Sequence, residues 1–341
     1  MKCKQIIFTE VNEAELCDVE LPELMPNQVA VKTLVSTVSS GTERALITVD
    51  TNTSIYSTES VVKFPREAGY SSAGVVIAVG SAVERVRIGD RVVVYWGLHK
   101  SVNVVTESRV VKIEDESVSF NSAALSFIAT FSLAAIRKCR VEIGESALVM
   151  GAGLLGMLAT KLLRAAGAAP IIVADPNPAR REIAKKHGAD YVFDPTDPDF
   201  AKEVKRVSGG GVNVAIEVSG VGVGFNGALD CMAKFGRVAL LGCTRNSDFT
   251  VDYYRKIHGP GITVIGAHTL ARPSAESHPG YFTHNDDIKA ILRLMAMGRL
   301  DLGEMIEEIH SPVECREVYE RLALDKSFPV VAQFDWSGFG I

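Results

Sequence analysis

The chain has 341 residues, of which 47% are apolar and 23% charged, and its formal net charge at pH 7 is −5. That length is sufficient for two domains with separate hydrophobic cores. The small net charge and the absence of blocks of like charge argue against nucleic acid or an anionic membrane as a partner.

Nothing in the chain resembles a targeting or membrane segment. The N-terminal MKCKQIIFTEVNEAEL alternates like a strand and has no signal-peptide core, and the longest apolar stretch, 154–174, is interrupted by charges and a turn. Six cysteines without a C-x-x-C pair predict buried, reduced thiols in a cytoplasmic protein, with no four-cysteine zinc site. They are Cys3, Cys17, Cys139, Cys231, Cys243 and Cys315.

The first 118 or so residues are predicted to form short strands separated by turns. The strand candidates are VAVKTLVSTV, AGVVIAVG, DRVVVYWG, SVNVV and RVVKI. Many short strands with frequent glycine turns indicate a β-barrel or sandwich. Near Ser117 the composition changes, and NSAALSFIATFSLAAIRKC has helical spacing.

After Gly144 strands and helices alternate, which predicts a parallel sheet covered on both faces. The strand candidates are SALVM, PIIVAD, YVF, NVAIEVSG, RVALLG and ITVIGA. Helices are predicted to begin at Leu154, to cover Pro178–His187, to begin at Asp199 and to end at Lys234.

From Leu270 a polar loop leads to a helix over 286–297, a helix over 312–324 and a final strand, PVVAQFDW. This C-terminal part has no core of its own, so it is expected to complete the first domain. The predicted domains are therefore 1–127 with 271–341, and 128–270.

The most informative motif is SALVMGAGLLG, in which a strand runs into Gly151-x-Gly153-x-x-Gly156 and then into a helix. Gly151 permits the tight turn, Gly153 lets a pyrophosphate approach the backbone, and Gly156 lets helix and strand pack closely. The context of strand, turn and helix predicts a dinucleotide site.

The phosphates are expected at the helix N-terminus, on the free amides that begin with Leu154 and Leu155. The next strand ends in Asp175, 19 residues after Gly156, where a carboxylate accepts hydrogen bonds from the adenosine ribose. Its charge would repel the extra phosphate of NADP, so NAD is predicted. Arg180 and Arg181 relieve that repulsion, contact the ribose or are solvated, and these alternatives stay open.

SSGTER, PREAGYSSAGVVIAVG with GDRVVV behind it, and GAGLLG with Asp175 together resemble the medium-chain dehydrogenase/reductase superfamily over essentially the whole chain. The resemblance implies an α/β protein with a Rossmann doubly wound parallel sheet and a GroES-like β-barrel catalytic domain. It also implies a homo-oligomer, dimer or tetramer, with strand ITVIGA (Ile262–Ala267) as the candidate edge for sheet extension.

Zinc-dependent members of that family have cysteine, histidine and cysteine or an acid as catalytic ligands. At the matching places this chain has Ser40, Tyr70 and Ser126, with Ser71 in place of a nearby glutamate. Hydroxyls are poor zinc ligands, so we predict a zinc-free member. The alternative is a metal recruited by other side chains, from the set His99, His268, His284 and Cys243.

Without zinc, the protein itself must accept the proton of the substrate hydroxyl. Tyr70 is the candidate acid–base, provided that its pKa falls well below the ordinary phenol value of about 10. By family position, Thr42 and Ser40 are candidates to hydrogen-bond the substrate oxygen. Alternatively, Tyr70 only fills the volume of the missing metal.

The resemblance also implies cofactor-pocket residues. Thr130, four residues after Ser126, matches a threonine beside the nicotinamide. The turns VSG and GCT follow later strands of the sheet, where ligands bind in open α/β folds, and they contribute the candidates Ser219, Gly242, Cys243 and Thr244.

SSGTER, GY in place of GH, and the ending FDW resemble the branch that holds bacteriochlorophyllide dehydrogenase and zinc-free sugar or polyol dehydrogenase-like proteins. The loop AHTLARPSAESHPGYFTHND supplies the hydrogen-bond donors His268, Arg272, His284 and Asn285, which favours a small polyhydroxylated substrate; alternatively, the loop is only solvated. The candidate substrate contacts are Ser126, His99, His268 and His284. The leading hypothesis is NAD-dependent oxidation of a secondary alcohol on a sugar, cyclitol or polyol, or the reverse reaction. An NADPH-dependent enone or quinone reductase and an inactive nucleotide-binding sensor remain alternatives.

Overall fold

The computed structural model describes residues 2–50, 63–325 and 327–340. The chain forms two compact units, one of residues 1–128 and 288–341 and the other of residues 129–287. The segment 271–287, which the sequence assigned to the first domain, belongs to the second unit. Its placement follows from contacts such as the bonds from Arg272 to the Thr130 carbonyl and from Lys138 Nζ to the Ala271 carbonyl.

Among the described residues the strands are β1 (Lys2–Glu10), β2 (Glu13–Glu20), β3 (Gln28–Thr37), β4 (Arg66–Glu67), β5 (Ser71–Val79), β6 (Arg91–Tyr95), β7 (Val102–Thr106), β8 (Val110–Lys112), β9 (Ala147–Met150), β10 (Ile171–Ala174), β11 (Tyr191–Phe193), β12 (Val212–Glu217), β13 (Met232–Leu240), β14 (Thr263–Gly266), β15 (Glu308–His310) and β16 (Ala332–Asp335).

The α-helices of the same residues are α1 (Ser40–Ile47), α2 (Phe120–Ala123), α3 (Ser126–Lys138), α4 (Leu154–Ala166), α5 (Pro178–Lys186), α6 (Phe200–Ser208), α7 (Gly222–Asp230), α8 (His284–Ala296) and α9 (Cys315–Leu324). Short 3₁₀ segments cover Glu107–Arg109, Gly303–Met305 and Pro312–Glu314, and a π-helical turn covers Tyr254–His258. None of the described helices has the length and apolarity needed to cross a bilayer.

The first unit is built mainly from antiparallel strands. One sheet has the order β15-β16-β3-β5-β6-β8, with β7 also paired to β3, and a smaller sheet has the order β2-β1-β4. The inward positions of β3, β5, β6 and β7 are valines, which form a fully buried cluster. β-branched side chains suit such a pleated, buried surface, and the predicted short-strand domain is confirmed.

The second unit contains a six-stranded parallel sheet with the order β11-β10-β9-β12-β13-β14. This order places the first strand of the unit, β9, in the middle of the sheet, as in the doubly wound nucleotide-binding fold. Strands β9, β10 and β12 are almost entirely buried, which explains their continuous apolar sequences. The predicted α/β class is therefore confirmed.

Two local features differ from the sequence expectations. The helix predicted to end at Lys234 ends at Asp230, and the chain continues as strand β13. Met232 pairs with Val212 before a register shift near Phe235, whose φ of 62° marks an irregularity. Pairing to a neighbouring strand thus overrides the local helical pattern. Helix α1, which carries SSGTER, was not predicted.

Candidate functional site

The nucleotide turn has the geometry that its glycines predict. Strand β9 ends at Met150, Gly151 adopts a φ of 109°, and helix α4 begins at Leu154. A Cβ on Gly156 would lie 1.9 Å from the Gly151 carbonyl oxygen, so only glycine permits this approach of helix and turn. A Cβ on Gly153 would meet no atom within 4 Å, which leaves the space that a pyrophosphate needs.

Asp175 follows strand β10 and is buried. Its two carboxylate oxygens accept hydrogen bonds from the amides of Ala152 and Asn177, each at 2.8 Å. Each oxygen retains a second lone pair for a ribose hydroxyl. Arg181 is held by the Asp175 carbonyl and by Asp194, whereas Arg180 is half-buried on the first turn of α5.

The two loops after β12 and β13 lie against each other. A Cβ on Gly242 would come within 2.6 Å of the Gly220 amide. Ser219, exposed at the start of the first loop, bonds through its hydroxyl to Glu217, whose carboxylate also accepts the Ser219 amide at 2.8 Å. Cys243 is exposed, contrary to the expectation of buried thiols, because it lies in the second loop beside Thr244.

Glu217 was not predicted as a site residue. It ends strand β12 and is buried, and burial raises the pKa of its carboxyl although hydrogen bonds from Ser219 and Gly220 oppose that shift. The signal that could have identified it is a single acidic residue at the end of the apolar strand NVAIE. Glu217 fixes the loop that carries Ser219.

Thr130 and His284 lie together in the second unit. Thr130 Oγ1 and His284 Nδ1 share a hydrogen bond of 3.0 Å. Burial and the Arg272 guanidinium lower the pKa of His284 to about 3, so its imidazole is neutral. Burial and the Lys138 ammonium also lower the pKa of His268. Both candidate histidines therefore act as neutral hydrogen-bonding groups at physiological pH.

Arg272, considered as a substrate donor because of its polar loop, has another role. Its side chain is buried, pairs with Asp287 at 3.1 Å, and donates to the carbonyl of Thr130 at 2.8 Å. A further bond goes to the carbonyl of Thr269. Arg272 thus attaches the loop after β14 to helix α3.

Tyr70 stands in the first unit immediately before strand β5. It follows Gly69, whose φ of 90° turns the chain. The phenolic hydroxyl donates a hydrogen bond to Ser39 Oγ. The ring lies edge-on to Phe127, with 5.8 Å between centroids, and tilted against Trp96 at 5.7 Å. Tyr70 is therefore held by an aromatic cluster and by its hydrogen bond to Ser39.

The neighbouring candidates are also hydroxyl side chains. Ser40 begins helix α1 and is half-buried, and Thr42, two residues later, is exposed. Ser126 begins helix α3 and is fully buried, and its hydroxyl has no hydrogen-bond partner among residues 2–50, 63–325 and 327–340. Ser71 Oγ donates to the Ala124 carbonyl at 2.6 Å.

His99 is not a substrate contact. It is fully buried, and its ring nitrogens bond to Ser36 Oγ at 2.7 Å and to Glu43 Oε2 at 3.1 Å. Burial alone would raise the pKa of Glu43, but His99, Tyr319 and the Ser39 amide together hold it below its ordinary value. Glu43 is the glutamate of SSGTER, and its role was not predicted because its partners are distant in the chain.

The side chains at the family's zinc-ligand places do not fit zinc. Tyr70 is bonded to Ser39, Ser126 is enclosed, and Ser40 adds a third hydroxyl where zinc requires thiolate, imidazole or carboxylate. No cluster of three or more His, Cys, Asp or Glu side chains suited to a metal occurs in the described part of the chain. His99, an alternative ligand, is already bonded at both nitrogens.

Two family models match the chain. Residues 26–133 match the alcohol dehydrogenase GroES-like domain, and residues 155–278 match the family described as zinc-binding dehydrogenase. The first segment lies almost entirely within the first unit, and the second lies within the second unit.

Similar proteins include L-threonine 3-dehydrogenase of Pyrococcus horikoshii, 29% identical over 93% of this chain and 94% of the relative. D-guloside 3-dehydrogenase of Escherichia coli K12 is 27% identical over 74% of this chain and 72% of its own. Among solved structures, 2R,3R-butanediol dehydrogenase from Bacillus subtilis superimposes with a TM-score of 0.81 at 23% identity, covering 98% of this chain and 99% of that one.

The two glycines of the turn should respond differently to alanine. Gly153→Ala should fold normally but raise the Kd for NADH at least about tenfold, because the added methyl occupies the open space beside the helix N-terminus. Gly156→Ala should also lower the unfolding temperature, because its Cβ meets the Gly151 carbonyl. Fluorescence titration measures the Kd for NADH, and thermal unfolding measures the unfolding temperature of each variant. An unchanged Kd for Gly153→Ala would contradict the assigned phosphate site.

Proposed function

We propose that the chain, a member of the zinc-type alcohol dehydrogenase-like medium-chain dehydrogenase/reductase superfamily, is a zinc-independent NAD(H)-dependent oxidoreductase. The proteins similar to it are alcohol, sugar and threonine dehydrogenases. Its substrate is a secondary alcohol or the matching ketone on a sugar, cyclitol or other polyol. The observation that carries this proposal is Tyr70, a phenol held by Ser39 where the family has a zinc-ligating histidine.

When bound, the nicotinamide supplies the hydride acceptor or donor. The protein's part is to manage the proton of the substrate hydroxyl. Tyr70 accepts that proton during oxidation and returns it during reduction. Ser40 and Thr42, on the first turn of α1, hydrogen-bond the substrate oxygen and orient it. Three hydroxyl groups thereby replace the polarising effect of a metal.

The preference for NAD is argued from Asp175. Its carboxylate is buried beside the glycine turn and holds the Ala152 amide, so its charge is fixed next to the adenosine position. A ribose hydroxyl can donate to it, whereas a phosphate on that ribose would bring two negative charges together. Arg180 is the side chain available to contact the ribose from α5.

The substrate class is argued from the relatives and from the polar character of the candidate side chains. One relative is named for a guloside and another, from Bacillus subtilis, is a sorbitol dehydrogenase. Neutral His268 and His284 supply donors and acceptors of the kind that a polyol requires. Ser126, whose hydroxyl has no hydrogen-bond partner in the described part of the chain, is a further candidate donor.

We further propose a cytoplasmic homo-oligomer with no nucleic-acid or membrane partner. Strand β14 lies at the outer edge of the described parallel sheet, and Val264 on it is 38% exposed. An exposed edge strand is suited to pairing with the same strand of a second copy.

Tyr70→Phe should lower kcat by about a hundredfold or more, because it removes the acid–base group while keeping the ring between Trp96 and Phe127. The measurement is NADH formation with a panel of sugars, cyclitols and polyols. Tyr254→Phe, at a tyrosine that is 63% exposed, is the matched control and should leave the rate unchanged.

An unchanged rate for Tyr70→Phe would reduce the phenol to a spacer. Two results with the unsubstituted protein would contradict the proposed reaction itself: NADPH consumption with quinones or enones in place of polyol oxidation, and tight NADH binding with no turnover on any panel.

Asp175→Asn should lower the ratio of kcat/KM with NAD to kcat/KM with NADP by about tenfold, because it removes the charge that repels the extra phosphate. Asparagine keeps one acceptor for the Ala152 and Asn177 amides, whereas alanine would leave both without a partner. Asp197→Asn, at an exposed carboxylate, serves as the charge-matched control. A ratio equal to that of the control would show that Asp175 does not select the cofactor.

A further inference from the structure

Ser39 occupies the N-cap of helix α1 but does not cap it. Serine is favoured at this position because its hydroxyl accepts an amide of the first turn. Here the side chain makes no capping hydrogen bond, and the hydroxyl instead accepts the Tyr70 phenol. The helix thus forgoes a stabilising contact in favour of one to the candidate acid–base residue.

The backbone of Ser39 is held from both sides by Glu43. The Ser39 amide donates to Glu43 Oε1 at 2.8 Å, and the Ser39 carbonyl accepts the Glu43 amide at 2.8 Å. These two bonds fix the residue that carries the hydroxyl, so the position of Ser39 Oγ depends on where the Glu43 side chain is held.

The Glu43 carboxylate is itself fixed by partners from other elements. Tyr319 of α9 donates to Oε2, and His99 Nε2 lies 3.1 Å from the same oxygen. His99 is bonded in turn to Ser36 of β3, which also accepts Trp336 Nε1 at 2.8 Å. Glu43, His99 and Tyr319 are fully buried. We call these three side chains the Glu43 cluster.

We propose that Ser39 is a positioning residue for Tyr70, and that the Glu43 cluster holds it in place. This inference rests on the acid–base role proposed for Tyr70. While Tyr70 is protonated, its hydroxyl donates to Ser39 Oγ. When Tyr70 is ionised, Ser39 donates its own proton in a hydrogen bond to the phenolate, which is stabilised in the form that accepts the substrate proton.

The contacts of Ser39 explain how its hydroxyl can stabilise the ionised form of Tyr70. A hydroxyl can reverse its donor and acceptor roles without moving its oxygen atom. The titratable side chains joined to Ser39 are Tyr70 through Oγ and Glu43 through the amide, with His99 and Tyr319 behind Glu43. Removing only the Ser39 hydroxyl leaves all four of these groups in place.

The test compares Ser39→Ala with Ser39→Thr by the pH dependence of kcat and kcat/KM for polyol oxidation. Ser39→Ala should lower kcat about tenfold, with KM for NAD unchanged. The limb of the pH–rate profile that reflects ionisation of Tyr70 should move to higher pH, because the phenolate loses a hydrogen-bond donor. Ser39→Thr, which retains a hydroxyl, should restore most of the rate and the original limb.

Ser119→Ala is the matched control. Ser119 is also an N-cap serine of the first unit, and its hydroxyl does accept an amide, that of Ser122 at 3.1 Å. Its loss should lower the unfolding temperature and leave the pH profile unchanged. Glu43→Gln, with nearly the same volume, should reproduce the shift of Ser39→Ala if it folds, and the Ser39 pair decides the matter if it does not.

A pH profile of Ser39→Ala that coincides with that of the unsubstituted enzyme would overturn the inference, as would a shifted profile that Ser39→Thr fails to restore. The two proposals fail separately. If Tyr70→Phe is impaired while Ser39→Ala is not, only the positioning role is lost. If Tyr70→Phe is fully active, the acid–base role is lost as well.

Discussion

The buried Glu43 carboxylate imposes the central constraint on the first unit. No solvent reaches it, so every partner of a charged group must come from the protein. The chain meets this requirement with His99, Tyr319 and the Ser39 amide. Hydrogen bonds to this one carboxylate therefore join α1, α9 and the segment after β6.

The second unit uses carboxylates in a similar manner. Asp175 and Glu217 end or follow parallel strands, and each accepts backbone amides from the loops at the carboxyl edge of the sheet. Such bonds set the shape of loops that would otherwise have several conformations. The loops at the carboxyl edge of the sheet are therefore fixed by buried acids as well as by the glycines of the turn.

Local features explain how much the sequence could predict. The parallel sheet, the turn at Gly151 and the position of Asp175 follow from neighbouring residues, and all were predicted. The start of β13, helix α1 and the role of His99 were not, because they depend on partners far along the chain. Glu43 and Tyr319 are separated by 276 residues, and no spacing rule connects them. The role of Arg272 was missed for the same reason, since its partner Asp287 lies across a loop.

The proposed reaction requires hydride transfer without a bound metal, since Ser40, Tyr70 and Ser126 stand where zinc ligands are expected. The direct measurement is the metal content of purified enzyme together with its turnover before and after treatment with a strong chelator. The account predicts no stoichiometric transition metal and a turnover that the chelator leaves unchanged. One equivalent of zinc per active chain, whose removal abolishes turnover and whose return restores it, would contradict it.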